Sequence, residues 1–345
     1  SARFGTERPL VRIQSPRPYK RQKARETGPF ACTLPRIRVA IRCFEKGLRK
    51  KANATMERHP SKRAEEIVLV KNLGADFMRQ AHEAVSFFTV AFVDHRQDDA
   101  SWKPKLLGSG VLVSAGKTKA ILTAHHVIEN VEKNVPKDRR LCILLEKTDH
   151  PHTIDPTSFT VRKLARGSRS KEGPDIGAVV LAPTIAGAIG AKKAFFNLDK
   201  WRDSVLNDPP GRHDGVWITQ GFVDQWTRRS VDADGGQRTG FFQFGGFGGP
   251  EELPDDERGW DYFDFPIELK DVVEVPTNWG GMSGGGVWQV PLKKVDDQIQ
   301  AVYPAPILSG VMFYQHPPTA TSSAARSHGR KSVYERVYGK LFEPK

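Results

Sequence analysis

The sequence predicts an all-β fold with one helix ahead of it and one behind. Two observations carry that expectation. From residue 84 onward the apolar residues fall in short runs rich in Val, Ile, Leu and Phe, and Gly, Pro, Asn and Asp punctuate them. That is the pattern of strands and turns. Helical spacing shows only at residues 61–80 and again after Ser332. An apolar share of 38% and seven Trp are enough for a sizeable core. No run of 18 or more apolar residues suggests a membrane span.

Charge divides the chain first. Residues 1–55 hold 15 Lys/Arg and three Glu, whereas residues 56–345 hold 38 basic and 37 acidic groups. The net charge of +13 therefore belongs almost wholly to the leader. A basic arm could meet nucleic acid, but the near-neutral remainder argues against nucleic acid as the partner of the folded part. Residues 1–55 carry no period of 2 or 3.6 and read as a disordered basic leader. Leu10-Val11-Arg12-Ile13-Gln14-Ser15-Pro16 reads like a translated TΨC arm of a transfer-RNA gene. The expectation is that residues 1–55 are not native and that Met56 opens the protein. Cys32 and Cys43 lie in the leader, which leaves Cys142 alone beyond it with no disulfide partner. That pattern, with no apolar signal segment, fits a reducing cytoplasm.

Taken in order, residues 61–80 read as a helix, with Ser61 as N-cap and Ile67, Val70, Leu73, Phe77 and Met78 at helical spacing. Strand runs follow at 84–93, 106–113, 119–124, 140–146, 157–163 and 176–182. Six short runs with turns between them suggest a small closed barrel. Residues 183–215 read as a linker and 232–262 as a long glycine-rich loop. Further strands are expected at 216–222, within 263–275, near 286–291 and 299–303, and at 307–314. Ser332-x-x-Glu335 reads as a capping box opening a final helix.

Chemistry concentrates at Asn278-Trp279-Gly280-Gly281-Met282-Ser283-Gly284-Gly285-Gly286, where five glycines crowd one serine. The second glycine of the core pattern follows the serine directly, so this is not the G-x-S-x-G elbow. It is not a phosphate loop either, because no Lys-Ser/Thr closes it. A serine hydroxyl needs a base, and the base needs an orienting group. Leu122-Thr123-Ala124-His125-His126 supplies imidazoles whose ordinary pKa of about 6.5 suits proton shuttling. Pro174-Asp175-Ile176-Gly177-Ala178-Val179 supplies a carboxylate at the head of an apolar run. Asp149 and Asp155 are weaker candidates in polar loops. His150 and His152 with Asp149 lack two further metal ligands at fixed spacing, so no metal is expected. Residues 240–248 could stack nucleic-acid bases, but no basic patch lies near them and they read as loop and apolar anchor.

The order His126, Asp175, Ser283, with separations of 49 and 108 residues, resembles the trypsin-like serine peptidases of the chymotrypsin fold, in their bacterial intracellular style. The resemblance covers roughly Ala84 to the C-terminus. It implies two antiparallel six-stranded β-barrels, the first over 84–184 and the second over 185–345 with a C-terminal helix, preceded by an N-terminal helix in 56–83. It implies a serine endopeptidase working without a cofactor on a protein or peptide substrate. His126 would be the base, because the family pattern is Thr-Ala-x-His, with His125 in a slot that is usually small. Asp175 would orient it, Ser283 would attack, and the N–H groups of Gly281 and Ser283 would form the oxyanion hole. Thr277, Phe313 and Tyr314 would line the substrate cleft, and uncharged Thr277 gives no support for an Arg/Lys preference. Met282 stands where many animal members have an activating aspartate, so that salt bridge is absent. The rival reading is a catalytically retired trypsin-like module that binds peptides or partner proteins.

Overall fold

A computed structural model of the chain describes residues 38–40, 67–69, 73–95, 103–134, 140–145, 151–167, 172–211, 215–231, 237–253, 258–268, 276–290, 292–295, 298–301, 306–319 and 322–342. The fold is dominated by antiparallel β-structure, as the sequence predicts, with five α-helices among the described residues. Strands β1 (Arg38–Ala40) and β2 (Ile67–Leu69) pair in parallel. Helix α1 spans Ala75–Ser86. The first sheet takes β3 (Thr89–Asp94), β4 (Lys105–Ala115), β5 (Thr118–Thr123), β6 (Leu141–Leu144), β7 (His152–Ile154), β8 (Phe159–Arg166) and β9 (Asp175–Leu181). Its order is β7-β6-β3-β4-β5-β9-β8. Helix α2 (His125–Asn134) leaves directly from the end of β5. Helix α3 (Pro183–Gly190), β10 (Phe196–Asn197, parallel to β4) and helix α4 (Leu198–Asn207) come next.

The second sheet takes β11 (Val216–Val231), β12 (Gln237–Gly248), β13 (Glu251–Leu253), β14 (Tyr262–Glu268), β15 (Gly286–Val290), β18 (Ile307–Gln315) and β19 (Ser322–His328). Its order is β12-β11-β15-β18-β19-β14-β13. The strands β16 (Leu292–Val295) and β17 (Gln298–Ala301) form a separate hairpin. A π-helical stretch, Ser332–Val337, leads into α5 (Tyr338–Leu341).

Several expectations are corrected. With β10 added beside β4, the first sheet has eight strands and the second seven, rather than six each. One curls into a half-barrel and the other does not close, and no pairing joins the two edges of either sheet among the described residues. The helix expected at 61–80 lies later. The aliphatic run Ile67–Leu69 pairs as a strand, and the helical face buried on the domain is Phe77, Ala81 and Val85. The leader likewise contains β1, and the rest of residues 1–55 lies outside the described residues. The linker at 183–215 holds two helices. Pro183 supplies a preset φ at the first position of α3, and the Asn197 side chain caps α4 by accepting from Lys200 N at 3.1 Å. The glycine-rich stretch 232–262 is not one loop. Its central part is β12, whose glycines stand opposite large residues of β11, as in Trp217↔Gly248, or offer an aromatic opposite a glycine, as in Gly221↔Phe244. Ser332 does not cap the final helix. Asp261 does, accepting from Lys331 N and Ser332 N at 3.0 and 2.6 Å.

The core runs from one sheet to the other. Buried Trp288 of β15 stacks on Phe88 at 5.1 Å and meets the edge of Phe196 at 5.3 Å. Such aromatic pairs each add about 0.5–1.5 kcal/mol beyond their buried area. Across β14 and β19, Asp264 stands opposite Arg326, which grips both of its carboxylate oxygens at 2.9 Å, while His316 Nε2 lies 3.0 Å away. Burial would push the Asp264 carboxyl up, but the bonds from Arg326 and His316 outweigh it and hold it below the ordinary carboxylate value. A carboxyl depressed in the folded state stabilises the fold above its unfolded pKa, and that stability is lost as pH falls through the folded pKa. Asp264→Asn should therefore cost about 1–3 kcal/mol at pH 7. In urea melts its deficit against wild type should shrink as the pH is taken below about 4.

Candidate active site

His126 is placed by its position in a helix. Thr123 ends β5, Ala124 follows, and α2 begins at His125 with Val127, Ile128 and Val131 buried beneath it. Adjacent residues on this first turn point apart, which separates the two histidines. His125 is buried, with Nδ1 3.2 Å from Ala165 O and Nε2 3.5 Å from Glu129. His126 turns to Asp175. Its backbone N–H donates to Asp175 Oδ1 at 2.9 Å, and its Nδ1 lies 2.8 Å from Oδ2. A carboxylate accepts, so Nδ1 carries the proton and Nε2 is left as the basic nitrogen. The His126 side chain is 28% exposed.

Asp175 is 1% exposed, and a carboxylate buried to that degree must be paired. It faces Arg166 directly across the β8–β9 pair, and Arg166 Nη1 donates to Oδ2 at 2.5 Å. The backbone N–H of Asp175 donates to Nε2 of buried His328 at 2.9 Å. Burial pushes the Asp175 carboxyl up, but the hydrogen bonds from His126, with the charge of Arg166 behind them, bring it below the ordinary carboxylate value. Asp175 thus stays ionised beside the ring it orients.

Ser283 sits on a loop whose peptides are almost all anchored. Asn278 N donates to Gln225 Oε1, Trp279 N to Gln315 Oε1, Gly280 N to Asn278 Oδ1 and Met282 N to Trp279 O. Gly284 N donates to Met312 O and Gly285 N to Met282 O. Between 278 and 285 only the N–H groups of Gly281 and Ser283 have no acceptor among the described residues. Their directions are nonetheless fixed, because a trans peptide points its C=O and N–H opposite ways. Gly280 O accepts from Asp224 N at 2.8 Å, and Met282 O accepts from Gly285 N at 2.8 Å. Each carbonyl is held, so each N–H is aimed. Gly281 has φ +92 and an added Cβ would lie 3.0 Å from Phe222 O, so only glycine suits this turn.

Ser109 of β4 ties this loop to the first sheet. Its N–H donates to Ser283 O at 2.8 Å, and its Oγ donates to Gly281 O at 2.7 Å while accepting from Phe222 N at 2.8 Å. Its own carbonyl accepts from Thr123 Oγ1 at 2.7 Å. Gly284 lies against Thr123 so closely that a Cβ would clash with Thr123 Oγ1 and with Ser109 O. The serine loop is thereby seated at the end of β5, where the strand hands over to the helix bearing His126.

The structure brings His126 and Asp175 into contact and holds the Ser283 loop against Ser109 and Thr123. No hydrogen bond joins Ser283 Oγ to His126 Nε2, and Ser283 Oγ has no partner among the described residues. Phe313 does not present its ring to an open cleft. It is 2% exposed, between Tyr262 at 5.9 Å and His328 at 4.8 Å. Tyr314 is half-buried against His316, and exposed Thr277 offers its carbonyl to Gln315 Nε2 at 2.9 Å. Met282 is buried among the apolar side chains of the second sheet. Asp155 is exposed and caps a 3-10 turn through Thr157 N. Asp149 and His150 lie outside the described residues, and no cluster of possible metal ligands occurs among those described. Burial, with the nearby Asp94 charge, pushes the Cys142 thiol up to about 11, which makes it no rival nucleophile.

Arg166, His328 and Thr123 were not singled out from the sequence. Arg166 could have been found only from the register that sets it opposite Asp175, and His328 lies 153 residues from its partner with no spacing signal.

No family model and no curated protein matches the chain. Among solved structures, one described as "Aromatic interactions drive the coupled folding and binding of the intrinsically disordered Sesbania mosaic virus VPg protein" aligns with it at 13% identity, covering 73% of this chain and 90% of that one with a TM-score of 0.36. A likeness at that score carries no argument about this chain. No helix among the described residues is long and apolar enough to cross a membrane.

The Ser109 anchor is directly testable. Removing its hydroxyl in Ser109→Ala leaves Phe222 N–H buried without its acceptor and frees the Gly281 carbonyl. Chemical denaturation should show a loss of about 1–3 kcal/mol.

Proposed function

We propose that this chain is a serine endopeptidase of the trypsin-like type, its two curled sheets corresponding to the two barrels of a chymotrypsin-like fold. One observation carries the reading. In a loop where neighbouring amides are bonded, the two left without acceptors are those of Gly281 and Ser283, flanking the serine hydroxyl. Amides held in place but unpaired suit a site where negative charge develops during reaction. An imidazole oriented by a buried carboxylate, with Nε2 as its basic nitrogen, supplies the proton acceptor.

In this mechanism Ser283 Oγ attacks the substrate carbonyl carbon as its proton passes to His126 Nε2. A C–O bond forms, and the carbonyl π pair moves onto oxygen, which accepts hydrogen bonds from the Gly281 and Ser283 N–H groups. Asp175 stabilises the imidazolium without taking its proton. The C–N bond then breaks, the pair leaves with nitrogen, and His126 returns the proton to the departing amine. Water repeats the sequence on the acyl-enzyme. Each oxyanion donor is worth about 3–4 kcal/mol of barrier. The proposed substrate is a protein or peptide, and no group beyond these side chains is needed for the steps.

The missing contact between Ser283 Oγ and His126 favours one rival, a retired module that binds peptides without cutting them. Labelling separates the two. A fluorophosphonate should phosphonylate the wild type, and Ser283→Ala should lose both label and at least about 10⁴-fold in peptide cleavage. Equal labelling of Ser283→Ala would refute the assignment, and a labelled protein that cuts nothing in a peptide library would favour the rival. Asp175→Asn should lose roughly 10⁴-fold in rate with a folded structure retained, because an amide would hold the wrong tautomer of His126.

A further inference from the structure

We propose that Arg166 is a positioning residue that widens the working range of the His126 base toward acid. The inference rests on the hydrolase reading above. Arg166 Nη1 and His126 Nδ1 donate to the same oxygen, Asp175 Oδ2, at 2.5 and 2.8 Å. The guanidinium is not a swinging surface group. Its backbone is set opposite Asp175 by the β8–β9 register, and its second nitrogen reaches Glu129 Oε2 of α2 at 3.4 Å.

The consequence follows from charge. A carboxylate alone stabilises the imidazolium that forms when His126 takes a proton. Here a permanent cation already sits on the oxygen that would do so, and two cations sharing one oxygen stand within about 5 Å of each other. Arg166 therefore holds Asp175 ionised and in place while disfavouring a resting, protonated His126. The enzyme would keep its base free to lower pH than the His–Asp pair alone allows.

The other charged and titratable groups around the pair are few. Glu129, on α2, faces both Arg166 and His125. His328, on β19, accepts a hydrogen bond from the Asp175 N–H at Nε2. Lys163, one turn of strand before Arg166, is paired with Glu132 of α2 at 2.6 Å. On the approach to Asp175, Arg258 lies 3.4 Å from Gly173 O, with Glu172 beside it in the chain. None of these donates a hydrogen bond to Oδ2, so the effect is assigned to Arg166.

The test is the pH dependence of the second-order rate of fluorophosphonate labelling between about pH 5 and 9 for wild type, Arg166→Met and Arg166→Lys. The midpoint of the acid limb should move up by about one pH unit in Arg166→Met, an estimate reduced for the 35% exposure of the arginine side chain. Arg166→Lys keeps the cation and should stay within a few tenths of a unit of wild type. Loss of a merely structural contact would lower the rate at every pH and leave the limb where it was. An unmoved limb in Arg166→Met, or an equal shift in Arg166→Lys, would overturn the proposal. Should circular dichroism show Arg166→Met unfolded, Arg166→Gln is read in its place against the same expectation. A wild type that labels at no pH overturns the hydrolase reading itself, and the role of Arg166 falls with it.

Discussion

The site depends on Ser109 more than on any other residue outside the proposed triad. Its backbone and its hydroxyl together make four hydrogen bonds, to Ser283, Gly281, Phe222 and Thr123. Two of those partners belong to the serine loop, one to the long strand of the second sheet and one to the strand that ends at the histidine helix. A net intramolecular hydrogen bond contributes only about 0.5–1.5 kcal/mol to stability. The geometric effect is larger. Ser109 ties the serine loop to the long strand β11 and to Thr123, two residues before the first histidine of α2. The flanking glycines are confined by the first sheet and its helix: a Cβ on Gly108 would clash with Val127, and one on Gly110 with Ile121.

Around this joint, the electrostatics follow from burial. A carboxylate that is 1% exposed costs several kcal/mol to desolvate unless donors replace water. Asp175 finds three on its oxygens: the His126 amide, the His126 ring and Arg166. The same constraint separates the paired histidines. One is drawn to the carboxylate, and the other is turned against a backbone carbonyl and Glu129. The serine loop shows the complementary arrangement. Its carbonyls from Trp279 to Ser283 each accept a hydrogen bond, while the amides of Gly281 and Ser283 have no acceptor among the described residues.

Strands with strong local signals were legible from sequence. The runs at 106–113, 119–124, 176–182 and 307–314 each fall within or close to an observed strand, because β-branched and aromatic residues there are buried on both faces. Elements whose identity depends on partners were not. The β12 strand is rich in glycine and takes its place by pairing along β11, and β19 is built from Ser, Ala, Arg and His with no apolar alternation to announce it. Closure into barrels was expected from the six short runs as well as from resemblance, and the strand order does not complete either circle among the described residues. Of the candidate site, the pairing of His126 with Asp175 was expected from residue type and order, and the structure shows the two in contact. Arg166 and His328 could not be read so, because each acts through strand pairing that no local pattern encodes. The cleft residues fared worst: Phe313, read as a wall residue, is packed into the core by Tyr262 and His328.

The central claim is that one hydroxyl, one oriented imidazole and two aimed amides act on the same carbonyl. A crystal structure of the protein after reaction with a fluorophosphonate tests it most directly. The account predicts phosphorus bonded to Ser283 Oγ, the phosphoryl oxygen within about 3 Å of both the Gly281 and Ser283 nitrogens, and His126 Nε2 within hydrogen-bond reach of the adduct. Phosphorus on another residue, or a phosphoryl oxygen turned away from both amides, would contradict it.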